Sequence, residues 1–102
     1  MPFDATKPSS NSAEIAVIDK MLELLATPDK WMQGASEYRG SYCLIGALWE
    51  AETTGLLKHH IFRRMSCIAS QWGYSTVPAF NDAMWRTHTD IIEFLHAVRE
   101  SY

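Results

Sequence analysis

Residues 41–53, SYCLIGALWEAET, are the stretch that decides the fold. Their central part, residues 43–49, is apolar on nearly every side of a helix, and such a helix is usually buried among other elements. Ser41 is a good N-cap, so we predict a helix from Tyr42 to about Thr53. Gly46 lowers helix propensity and therefore indicates that a neighbouring helix approaches closely.

Three further helices are predicted around this segment from apolar side chains that recur every three or four residues. They are expected over residues 13–26, 56–72 and 88–100. Asn11 and Glu14 form a capping-box pattern at the first, and Thr87 with Asp90 opens the last. Gly55 is expected to end the helix that precedes it.

Two segments without a helical period join these helices. Residues 29–42 contain two glycines and are predicted to form a loop or a short hairpin, anchored to the core by Trp31. Residues 73–86 contain Pro78 and the pair Asn81-Asp82, which argue against a regular element there.

The predicted fold class is all-α, an irregular bundle of about four helices with two ordered loops. Residues 1–12, rich in proline and serine, are expected to be a flexible N-terminal tail. Residues 13–102 are expected to form a single helical domain, since the length suits one core.

Charge and hydropathy exclude several classes of protein. The formal net charge of −3 argues against nucleic acid as the main partner. No segment is long and apolar enough to predict a membrane span, and the N-terminus lacks the apolar region of a secretory signal. We therefore expect a cytoplasmic protein in which Cys43 and Cys67 are free thiols.

The basic residues are unevenly distributed. Residues 53–81 contain Lys58, Arg63 and Arg64 and no acidic residue, although the chain as a whole is acidic. This middle part is either a solvated helix face or a docking patch for an acidic partner or a phosphate.

Cys43 is the residue whose side chain is best suited to a chemical role. Near a helix N-terminus, unpaired backbone N–H groups favour a thiolate. With Gln33 as oxyanion donor and His60 as base, Cys43 is a weak candidate for a nucleophile. The alternative is a structural cysteine, because this residue type is often buried as a small apolar side chain.

None of the four histidines has metal-ligand spacing to another, so we predict no metal site and no cofactor. No phosphate loop, dinucleotide motif or serine-hydrolase motif is present. Trp49 and Trp72 have core spacing, whereas the loop segment Met84-Trp85-Arg86 is a candidate interface.

The sequence pattern also resembles a family of small bacterial proteins of unknown function. The resemblance lies in a Trp…Gly…Cys-x-x-Gly-Ala…Phe-Asn-Asp pattern over about residues 13–100. It implies a helical domain and no assigned activity. The residues that carry the pattern are Trp31, Gly34, Cys43, Gly46, Ala47, Phe80, Asn81 and Asp82.

Two functions from different classes remain open. The first is a non-enzymatic interaction or regulatory module that binds a protein partner or associates with itself. The second is a small-molecule-binding protein or thiol-dependent enzyme, with Trp31, Cys43, Asn81 and Asp82 as ligand-binding residues. Asn81 and Asp82 could equally bond nearby backbone groups and only hold their loop.

Overall fold

The computed structural model describes residues 11–102, and this part of the chain contains five α-helices, one 3₁₀ turn at Pro28–Lys30 and one short hairpin. The elements are α1 Ser12–Leu24, β1 Glu37–Tyr38, β2 Ser41–Tyr42, α2 Leu44–Ala51, α3 Gly55–Gln71, α4 Val77–Asn81 and α5 His88–Glu100. The predicted all-α class is confirmed. The predicted tail, residues 1–12, lies outside the described residues except for Asn11 and for Ser12, which begins α1.

The three outer helices that were predicted from periodicity begin and end within two residues of the expected positions. The capping box of α5 is present, with Thr87 and Asp90 bonding each other's backbone N–H groups. The box predicted for α1 does not form, because Asn11 makes no side-chain cap hydrogen bond to the helix.

Helix α2 begins later than predicted. Ser41 and Tyr42 pair with Tyr38 and Glu37 in an antiparallel hairpin, so these residues are extended and Cys43 is the N-cap. At the tip of this hairpin, Arg39 and Gly40 both have positive φ values, 54° and 83°, as a two-residue type I′ turn requires.

The predicted roles of Gly55 and Gly46 are both wrong. Gly55 does not end α2 but begins α3, after three irregular residues. The neighbour that approaches Gly46 is not a helix but the backbone of Ser36 in the loop before β1. A Cβ at position 46 would lie 2.6 Å from the Ser36 carbonyl carbon and closer still to its oxygen.

Residues 73–86 do contain a regular element, the short helix α4, so that prediction is also wrong. Thr76 is its N-cap and accepts a hydrogen bond from Ala79 N at 3.0 Å. Pro78 lies in the first turn, where a helical residue needs no backbone donor, so the proline starts this helix rather than preventing it.

The core draws on all five helices, and its centre is aromatic. Phe80 of α4 stacks on Phe94 of α5 with ring centroids 4.6 Å apart, and Trp72 meets both rings edge-on. The other fully buried large side chains are Ile18, Met21, Leu25, Leu44, Leu48, Ile61, Met65, Ile91, Leu95 and Val77. Trp49 and Trp72, both expected in the core, are instead 50% and 42% exposed, although one side of Trp72 packs on these rings.

Helix α4 thus holds Asn81 directly behind Phe80, next to the N-terminus of α2 and the loop before β1. Within residues 11–102, none of the helices combines the length and apolar character needed to cross a membrane.

Candidate functional site

Asn81 is the centre of the candidate site, because it is only 1% exposed and its side chain bonds three segments. Its Oδ1 accepts from Trp31 Nε1 at 2.9 Å and from the Leu44 backbone N–H at 3.1 Å. Its Nδ2 donates to the Met32 carbonyl at 3.2 Å and to Asp82 Oδ1 at 2.8 Å. Because both ends of this buried amide are bonded, Asn81 can fasten the loop and α2 to α4.

Gln33 and Gly34 add a second set of bonds between the same loop and α4. Gln33 Nε2 donates to the carbonyls of Asn81 and Ala83 at 3.0 and 2.9 Å. The Gly34 N–H donates to Asp82 Oδ1 at 3.1 Å, from a backbone φ of 84° that suits glycine. Both amide protons of Gln33 are therefore used, and its side chain is not free to stabilise an oxyanion.

Cys43 is the N-cap of α2. Its Sγ accepts a hydrogen bond from Gly46 N at 3.3 Å, and its own N–H donates to the Ser36 carbonyl at 3.2 Å. An N-cap residue normally accepts such a backbone hydrogen bond with a side-chain oxygen, so the Cys43 sulfur takes the place of a serine hydroxyl oxygen here. The site residue that the sequence could not indicate is Ser36, because a backbone carbonyl leaves no trace in side-chain identity.

A pocket of about 220 Å³ opens to solvent beside the half-buried Cys43. Its walls are formed by Gly34, Ala35, Ser36, Cys43, Ile45, Pro78, Asn81 and Asp82. The structure therefore brings Cys43, Asn81 and Asp82 together, and Trp31 of the preceding loop donates to Asn81.

His60 lies elsewhere and does not complete a thiol nucleophile. None of the pocket residues named above is a histidine, while His60 lies on α3 with its Nε2 3.5 Å from Glu14 Oε2 of α1. His88 is also engaged, with Nε2 2.6 Å from the Leu25 carbonyl. Within residues 11–102 there is no group of three or more His, Cys, Asp or Glu side chains that could hold a metal ion.

The segment Met84-Trp85-Arg86 divides into two parts. Met84 and Trp85 are 91% and 69% exposed. The Arg86 side chain is only 7% exposed, and its Nε donates to the Phe80 carbonyl at 2.8 Å. Its guanidinium lies 3.9 Å from the Phe80 ring centroid and 3.4 Å from Asp90 Oδ2, so Arg86 fixes the end of α4.

These features define a small helical protein in which a capped central helix is held by a hydrogen-bonded loop. The chain belongs to a family of unknown function (DUF6197), whose model matches residues 10–101. This confirms the resemblance to a family of unknown function. No curated protein and no solved structure matches the chain.

Proposed function

We propose that this protein is a non-enzymatic interaction or regulatory module that binds a protein partner through Met84 and Trp85. The observation that carries the proposal is the exposure of these two adjacent large apolar side chains, at 91% and 69%. Tryptophan is enriched among the residues that dominate the energy of protein interfaces. Exposed apolar side chains side by side favour a contact surface over a merely solvated loop.

The backbone on both sides of these residues is held in place, which strengthens the proposal. The Ala83 carbonyl accepts from Gln33 Nε2 and from the Arg86 N–H, each at 2.9 Å. Arg86 is in turn bonded to the Phe80 carbonyl. A segment that is already ordered loses less conformational entropy on binding, so its contacts contribute more to affinity.

Site-specific photo-crosslinking tests this proposal. A benzophenone amino acid would replace Met84, and the full chain would be irradiated in the cells that naturally produce it. We expect one cross-linked protein, which is then purified and titrated against this chain. Trp85→Ala should weaken its binding at least 10-fold, as expected for an interface anchor, whereas the control Trp49→Ala should leave the affinity unchanged.

Two outcomes would remove the interaction function. One is a photo-crosslink yield at position 84 no higher than at Glu23, an exposed position on α1. The other is equal binding by the purified partner to the wild-type chain and to Trp85→Ala. Self-association through the same residues would instead give a cross-linked dimer, and sedimentation velocity would show its dependence on Trp85.

A second candidate function, small-molecule binding or thiol chemistry at Cys43, is favoured by the pocket of about 220 Å³ with Asp82 in its wall. It predicts rapid alkylation of Cys43 by iodoacetamide in the folded protein near neutral pH. Cys67→Ser removes the other thiol from this assay. Alkylation that occurs only after unfolding would end this candidate.

Two further proposals concern the domain organisation of the chain and its location. We propose that residues 13–102 act as a single helical domain, and that the protein works in the cytoplasm of a bacterium. The sequence supports these two proposals through its length, its thiols and the bacterial family that it resembles.

A further inference from the structure

Helix α3 has an unusual charge pattern for an acidic chain. Its 17 residues contain five basic or imidazole side chains and no carboxylate. They are Lys58, His59, His60, Arg63 and Arg64. Lys58, Arg63 and Arg64 give this helix three positive charges on a chain with a net charge of −3, and such a local excess of positive charge attracts anions.

Part of this charge lines a groove. His60, Arg63, Arg64 and the exposed Cys67 line one side of an open space of about 260 Å³ along α3. These side chains recur at helical spacing, so they point to the same side of α3. The groove is separate from the Cys43 pocket, because the two have no lining residue in common.

Arg64 is held in position at this groove. Its Nη1 donates to the carbonyl and to Oγ of Ser101, the latter at 2.9 Å. Its guanidinium also lies 4.3 Å from the Tyr102 ring centroid. A stacked and bonded guanidinium has already lost rotamer freedom, and its planar fork of donors matches two oxygens of a phosphate.

A second, more apolar groove adjoins the first at His60, which lines both. It measures about 370 Å³ and is walled by Glu14, Thr54, Leu56, Leu57 and His60. Leu56 is 83% exposed there. The Glu14 carboxylate disfavours an anion in this second groove, so a negative group would lie on the arginine side of His60 and an apolar group beside the leucines.

We propose that these adjoining grooves bind a small phosphate monoester with an apolar body. The phosphate lies against Arg63 and Arg64, with His60 at the boundary between the two grooves, and the apolar body packs on Leu56 and Leu57. This site is independent of the Met84–Trp85 surface and of the Cys43 pocket, so each can fail without the others.

Titration calorimetry with phenyl phosphate and with inorganic phosphate, at low ionic strength, tests the site. We expect saturable binding of both, with phenyl phosphate several-fold tighter. Arg63→Glu should weaken both ligands at least 10-fold, whereas the exposed hairpin residue in Arg39→Glu is a charge-matched control without effect. Leu56→Ser should remove the advantage of phenyl phosphate and leave inorganic phosphate binding unchanged.

Cys67 provides a second readout that needs no calorimetric signal. In a Cys43→Ser background, Cys67 is labelled with dianionic dithiobis(nitrobenzoate) and, separately, with neutral dithiodipyridine. The ratio of the first labelling rate to the second should be higher when Arg63 is present than in Arg63→Glu. Phenyl phosphate should slow the labelling of Cys67, and salt should reduce the preference for the anionic reagent because it screens exposed charges.

The outcomes separate a soluble ligand from a lipid headgroup. Phenyl phosphate binding that Arg63→Glu removes supports the proposal. Co-sedimentation with phosphatidic acid vesicles, without any response to phenyl phosphate, would overturn it in favour of a membrane surface. Absence of saturable binding, or equal binding by wild type and Arg63→Glu, would overturn it altogether.

Discussion

Asn81 and the pair Met84-Trp85 lie only a few residues apart, yet they use their side chains in opposite ways. The amide of Asn81 is buried and bonded to Trp31, Met32, Asp82 and the start of α2. The side chains of Met84 and Trp85 lie mostly in solvent. Asn81 thus bonds the loop and α2 to α4, and the exposed residues beside it are the ones that we propose contact a partner.

This contrast predicts where substitutions will act. Loss of a buried, bonded side chain leaves its partners unsatisfied and lowers the free energy of unfolding. Loss of an exposed apolar side chain changes that free energy little, because the side chain is hydrated before and after unfolding. The predictions below run from the first case to the second.

The largest effect is expected for Asn81→Ala. It leaves Trp31 Nε1 and the Leu44 N–H without their acceptor, and we expect the free energy of unfolding to fall by about 3 to 4 kcal/mol. Urea denaturation followed by circular dichroism measures this. Asp82→Asn is the matched control, since an amide oxygen can still accept from Asn81 and Gly34, and a loss as large as that of Asn81→Ala would contradict the assignment.

Gly46→Ala should cost about 3 kcal/mol, because the new methyl group would overlap the Ser36 carbonyl and push the loop away from α2. Gly55→Ala is the helical control: a Cβ there meets nothing within 4 Å, so we expect a neutral or slightly stabilised protein. Similar urea midpoints for the two variants would show that the loop does not contact α2 as described.

Two variants of Cys43 test whether its sulfur caps α2. Cys43→Ser keeps an N-cap acceptor and should preserve stability, whereas Cys43→Ala should lose about 1 kcal/mol. Thermal unfolding of both variants measures the difference. If Cys43→Ser and Cys43→Ala unfold alike, the sulfur does not cap α2.

Asp90 gives a smaller effect that depends on pH. The Thr87 backbone N–H, and then the Thr87 hydroxyl and Arg86, hold the pKa of this carboxyl below its ordinary value of 3.8. Its stabilisation is therefore fully present above the ordinary carboxyl range and is lost as pH falls through the lowered value. Asp90→Asn should cost about 0.5 to 1 kcal/mol at neutral pH and progressively less in acid, and a constant difference at all pH values would contradict this.

The smallest effect on stability is expected for the double variant Met84→Ser/Trp85→Ala. We expect its free energy of unfolding to lie within about 0.5 kcal/mol of the wild type, since both side chains are mostly exposed. Urea denaturation checks this under the same conditions. A loss above about 2 kcal/mol would mean that these side chains pack on the core and would weaken the interaction proposal.

The long helices could be predicted because their apolar periodicity is a local property of the sequence. Helices α1, α3 and α5 were expected almost where they occur. The start of α2 could not be predicted, since it depends on β2 pairing with β1 rather than on capping propensity. Helix α4 was missed because five residues are too short to display a period.

The residue types of the candidate site could be predicted, but their contacts could not. Trp31 and Asn81 are 50 positions apart, and only the folded chain brings the indole to the amide. Arg86 has no sequence signal that distinguishes an inward guanidinium from an exposed one. The choice between a structural and a ligand-binding role for Asn81 likewise depends on partners that are distant in the chain.

The most direct measurement of this account is hydrogen exchange of the tryptophan indole N–H groups, followed by ¹H–¹⁵N NMR of the full chain. The indole of Trp31 donates to a buried amide, so we expect its proton to exchange far more slowly than that of Trp85. Equal and rapid exchange of the two indoles would show that Asn81 does not hold the loop, and the contrast between the two regions would be lost.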